Sequence, residues 1–143
     1  MDPSASFYFN GTNSCRITLN FDSNPAVQIA DGDFTIAWWA YEQQQNSFPR
    51  HFSVGTYPSA QIAFDKEGTS VYYWHSSPTV VVSQTAEERY DNWTHYAICR
   101  QSGSTTVYMN GQTMWTGSDN RDFTYNYPMY VGGENSMDAA SFK

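Results

Sequence analysis

Cutting a glycosidic bond takes two carboxyl groups, an acid and a nucleophile, about 5 Å apart on either side of it. On a β-strand that arrangement comes from acidic residues two apart, because alternate side chains share a face. An E-x-D-x-x-E run would supply it, yet Glu42, Glu67, Glu87, Glu88 and Glu134, the five glutamates, make no such run. Asp65-Lys66-Glu67 has the right spacing but falls where a hairpin turn is expected, so it reads as a solvated tip. His51, His75 and His95 have no acidic or nucleophilic partner at motif spacing, and His95 reads as a hydrogen-bonded structural residue. No G-x-S-x-G, H-E-x-x-H or phosphate-binding glycine loop is present. The chemistry-bearing residues point away from catalysis.

Aromatic side chains point elsewhere. Trp39, Tyr41, Tyr57, Tyr72, Trp74 and Trp115, with Tyr125 and Tyr127, exceed what a small core easily encloses. Exposed aromatic faces stack on the C–H surfaces of sugars, while neighbouring Asn, Gln and Ser bond the hydroxyls. The same residues also fill sandwich cores and cover sheet edges, so both readings stand. Loop carboxylates are the other candidate set: Asp31 and Asp33, Asp119 and Asp122, and Glu134 with Asp138. Hard oxygen ligands in loops suit calcium, although Asp is equally at home in turns for backbone reasons, and no EF-hand run occurs. Cys15 and Cys99 lack metal-ligand spacing, which leaves two free thiols or one long-range disulfide. Asn10-Gly11-Thr12 and Asn92-Trp93-Thr94 match the glycosylation sequon, a pattern short enough to arise by chance.

Strands must position these residues. Asp33 to Glu42 alternates with Phe34, Ile36, Trp38 and Ala40 on one face and Thr35, Ala37, Trp39 and Tyr41 on the other. Both faces are apolar or aromatic, the pattern of a central strand, and the Trp38 face is expected in the core. Trp93 to Arg100 reads as a second central strand. Asn110-Gly111 between two alternating runs is a hairpin signal, and Lys66-Glu67-Gly68 reads as another turn. Thr85 to Tyr90 is too short for more than one helical turn. About ten short strands separated by turns imply a sandwich or barrel in one domain.

Four stretches, in order, resemble the laminin G-like branch of the concanavalin A-like superfamily. They are Phe7-Tyr8-Phe9-Asn10-Gly11, Gly32-Asp33-Phe34-Thr35-Ile36 through Trp39, Trp93 to Arg100 with Thr106 to Gly111, and Tyr130-Val131-Gly132-Gly133. The resemblance implies an all-β, two-sheet antiparallel jelly-roll sandwich over residues 1–143. It also implies loop-rim calcium and an extracellular or virion-surface setting. Relatives continue into a final apolar strand where this sequence reaches Ser141-Phe142-Lys143. The expectation is therefore a C-terminally truncated domain that lacks its last strand and forms a homo-oligomer through an unpaired terminal edge, starting at Phe7 to Asn10.

Composition narrows the partners. Formal charge is −7 and Lys and Arg do not cluster, so a phosphate backbone is repelled and nucleic acid is excluded. No apolar run reaches the roughly 20 residues that span a bilayer, and the first residues do not form a signal peptide. The leading expectation is a noncatalytic recognition module for carbohydrate or a protein surface. The alternative is an assembly module of a virion, fibre or adhesin, with a glycoside hydrolase third.

Overall fold

A computed structural model describes residues 6–9, 15–20, 29–43, 50–54, 62–67, 70–74, 80–83, 90–119, 122 and 128–133. Ten strands run through them: β1 (Ile17–Leu19), β2 (Phe34–Tyr41), β3 (Arg50–Val54), β4 (Ile62–Glu67), β5 (Ser70–Trp74), β6 (Val80–Ser83), β7 (Trp93–Gln101), β8 (Ser104–Met109), β9 (Gln112–Ser118) and β10 (Met129–Val131). In β4, β5 and β6 only the Phe64 side chain is described. The strands form two antiparallel sheets, one of six in the order β1-β10-β3-β4-β5-β6 and one of four in the order β2-β7-β8-β9. This is the jelly-roll sandwich that the alternation and the resemblance imply.

The core lies between the sheets. Phe52, Phe64, Tyr96, Ile98, Val107 and Met109 are buried there, with Phe34, Ile36, Trp38 and Trp115 packed against them. Trp38 sits at the centre. Its ring stacks on Tyr96 at 5.5 Å and meets Phe52 and Phe64 edge-on at 5.1 and 4.9 Å. Edge-to-face packing suits the ring quadrupoles, so these contacts add to the burial of apolar area.

Backbone chemistry pins the four-stranded sheet. Ser102 and Gly103 both have positive φ, as do Asn110 and Gly111, which is the two-residue hairpin geometry that matches strand twist. Asn110 Oδ1 accepts from the His95 amide at 2.9 Å, and the Asn110 amide donates to His95 O at 2.8 Å. Arg100 is buried and donates to the carbonyls of Ala30 and Gly32, tying the turn before β2 to β7.

Three expectations change. β2 pairs with β7 from Phe34↔Arg100 to Tyr41↔Trp93, and among the described residues no strand pairs with its other side. It is an edge strand rather than a central one. Its two apolar faces arise because one covers the opposite sheet and the other carries surface aromatics. Lys66 and Glu67 lie inside β4, with Glu67 opposite Ser70, so Asp65-Lys66-Glu67 is strand rather than turn. Ser6–Phe9 forms no strand; Phe7 and Tyr8 are 80% and 74% exposed. Of the expected helical turn, only Tyr90 lies within the described residues, in a parallel bridge with Glu42.

Candidate functional site

The outer face of the four-stranded sheet is built by register. Trp39 stands opposite His95, and Tyr41 opposite Trp93. The rings of each pair touch, with centroids 5.0 Å apart for Trp39–His95 and 5.8 Å for Tyr41–Trp93. Trp39, Tyr41 and Trp93 remain 49%, 40% and 47% exposed, a large apolar area to leave in water. Next along the strands, Ala37 faces Ala97, which in turn faces Tyr108. Small side chains there set a low floor beside the aromatic pairs. One further step brings a polar row, Thr35, Cys99, Thr106 and Thr116. Thr35 Oγ1 donates to Cys99 Sγ at 3.6 Å, and the hydroxyls of Thr106 and Thr116 bond at 3.1 Å.

A cleft of about 700 Å³ follows the outer edge of β2. Side chains from both faces of the strand line it, Ile36 and Trp38 from one and Trp39 and Tyr41 from the other, with Phe7, Phe52 and Trp93. His51 is its one ionisable side chain besides tyrosine among the lining residues. Behind the cleft wall, Trp38 Nε1 donates to His51 Nδ1 at 2.9 Å. That bond makes Nδ1 an acceptor, so in the neutral ring the proton sits on Nε2, 3.3 Å from Glu42 Oε1. The Tyr96 hydroxyl donates to the same oxygen at 2.5 Å. Glu42, Tyr96 and His51 are all buried. Both ring nitrogens of His51 are thereby engaged, and Trp38, His51, Glu42 and Tyr96 form one hydrogen-bonded lock between the sheets.

The family's sequence model for the concanavalin A-like lectin/glucanases superfamily, of laminin G type, matches residues 10–143. The chain belongs to this laminin G-like family. No curated protein matches it. Among solved structures, domain 4 of AbnA, a GH43 extracellular arabinanase from Geobacillus stearothermophilus in complex with arabinotriose, is 16% identical with a TM-score of 0.65. That match covers 99% of this chain and 73% of the other. Domains LG4-5 of the mouse laminin α1 chain are 13% identical with a TM-score of 0.68, covering 95% of this chain and 37% of theirs. The CBM40 of the Ruminococcus gnavus IT-sialidase bound to α2,3 sialyllactose is 16% identical with a TM-score of 0.62, covering 87% and 78%. At these identities the likeness is one of fold.

Within this laminin G-like domain the sequence-derived candidates scatter. Trp39 and Tyr41 share the outer face. Trp115, opposite Val107 in β9, packs toward the core over Gly117, where an added Cβ would meet its ring at 2.2 Å. Tyr72 and Trp74 belong to β5 in the other sheet, and Tyr57 lies outside the described residues, as do Glu134 and Asp138. Asp31, Asp33 and Asp122 are exposed; Asp33 Oδ1 accepts the Ser102 amide at 2.8 Å. Asp119 is buried and accepts from Thr105 Oγ1 at 3.3 Å. Among the described residues no three His, Cys, Asp or Glu side chains gather as a metal site. Cys15 and Cys99 are free and half-buried. No helix among the described residues is long and apolar enough to cross a membrane.

Sequence reasoning missed Trp93 and the partner of His51. Trp93 was findable, since it sits two residues before His95 and so shares its face. Glu42 and His51 are joined by tertiary packing, for which sequence spacing carries no signal.

Proposed function

We propose that this laminin G-like domain is a noncatalytic recognition module that binds carbohydrate on the outer face of its four-stranded sheet. The observation that carries the reading is the pair of adjacent, half-exposed aromatic couples, Trp39–His95 and Tyr41–Trp93. Two stacking positions along the strands, roughly 6.8 Å apart at the strand rise, accept successive sugar rings. The polar row from Thr35 to Thr116 supplies hydroxyl partners on the same face. Fold likeness to carbohydrate-bound domains supports this reading without naming the ligand. Glycan-array binding followed by calorimetry tests it. Trp39→Ala and Trp93→Ala are each expected to weaken binding at least tenfold while leaving the melting temperature nearly unchanged. Full-strength binding in both variants would sink the proposal.

A second reading, an assembly module, is favoured by one observation: the outer edge of β2 carries no charged residue between Phe34 and Tyr41. Uncharged, unpaired strand edges recruit other strands. Stable self-association with a blank glycan array would favour this alternative.

A further inference from the structure

We infer that the ligand of the aromatic platform is an uncharged oligosaccharide, and that sialylated, sulfated and uronic glycans are selected against; this rests on the platform reading above. The inference comes from where the described cations lie. Arg50 and Arg100 are buried, and Arg100 is committed to the carbonyls of Ala30 and Gly32. Arg16, just before β1, lies over the ring of Tyr130 in β10, and Lys66 belongs to β4, so both lie at the six-stranded sheet. Among the described residues, then, no Lys or Arg stands on the outer face of β2, β7, β8 or β9.

Recognition of carboxylate or sulfate calls for Arg or Lys, the side chains that offer a full charge and several donors. What the face offers instead is aromatic carbon, hydroxyl groups and one imidazole, His95. In the turn that leads into β7, two residues before Trp93, the exposed charge is negative, Asp91. The whole chain carries −7, so the long-range field also opposes an anionic ligand. Stacking on a sugar's C–H face needs no charge, and the low floor at Ala37 and Ala97 leaves room for an unbranched chain beside the aromatic couples.

The test is an array at pH 7.5 of neutral oligosaccharides two to six units long, each printed beside a sialylated, sulfated or uronic counterpart. The strongest hits are then measured by calorimetry from 50 to 500 mM NaCl on the whole chain and on Trp39→Ala. Neutral hits at least tenfold tighter than their acidic counterparts are expected. Their affinity should change less than twofold across the salt range and be lost in Trp39→Ala. Acidic glycans that bind as well or better, with affinity falling steeply in salt, would overturn the inference; loss of that binding in Trp39→Ala would leave the platform reading standing. A blank array, or neutral binding indifferent to Trp39→Ala, would overturn both.

Discussion

Trp38 and Trp39 are adjacent residues with opposite duties, and single substitutions separate them. Trp38 packs at the core centre and donates to His51, whereas Trp39 is half in water. Trp38→Ala should cost about 3–5 kcal/mol, the usual range for removing a buried large aromatic. Trp39→Ala should cost under about 1 kcal/mol, as surface changes do, and urea unfolding measures both. Reversed costs would reverse the assignment of faces. Alternation alone made this division legible in the sequence, because the backbone pleat dictates it. The Trp38–His51–Glu42–Tyr96 lock was not legible, since its members come from three strands and the end of one of them. Glu42→Ala leaves two buried donors, His51 Nε2–H and the Tyr96 hydroxyl, without their shared acceptor. At about 1–3 kcal/mol for each of the two donors, a loss of about 2–6 kcal/mol is expected. Glu42→Gln keeps an acceptor oxygen and should lose clearly less; equal losses would mean the lock does not stabilise the fold.

At the scale of elements, the turns were legible and the strand neighbours were not. Asn110-Gly111 announces its hairpin because few residue pairs accept positive φ at both positions. A strand's alternation states which faces are apolar but not which strand lies beside it, and for that reason β2 read as central and is found at an edge. The opening run Phe7-Tyr8-Phe9 looked like a strand from composition, yet only Phe9 is drawn in, against Gly132. Two glycines test that contact. Gly111 has φ +79° and nothing within 4 Å of an added Cβ, so Gly111→Ala should cost about 1–2 kcal/mol from backbone strain alone. Gly132 has φ +81°, and an added Cβ would lie 2.3 Å from the Phe9 ring. Gly132→Ala should therefore cost more than Gly111→Ala. In a Phe9→Ala background the excess should vanish, a coupling that a double-mutant cycle reads directly. Additive costs would show that Phe9 does not rest on Gly132.

For the molecule as a whole, the sandwich followed from about ten alternating runs broken by turn residues, while its association behaviour depends on two features that oppose each other. The chain carries −7, which drives copies apart. The outer edge of β2 is eight residues long, from Phe34 to Tyr41, with no charge and no proline. It therefore carries neither of two devices, charge and proline, by which proteins blunt an exposed edge. Which feature prevails is set by salt. The repulsion acts at long range and is screened once the Debye length falls well below 10 Å, whereas strand pairing acts at contact and is almost untouched by ions. Light scattering on the eluting protein should show mostly monomer at 20 mM NaCl and a growing dimer fraction at 500 mM. Thr35→Lys places a charge on the edge strand itself, at an exposed position away from the core. That variant should stay monomeric at both salts while melting within a few degrees of the parent. A parent that stays monomeric at both salts, or whose dimer dissolves as salt rises, would show that the β2 edge does not pair between copies.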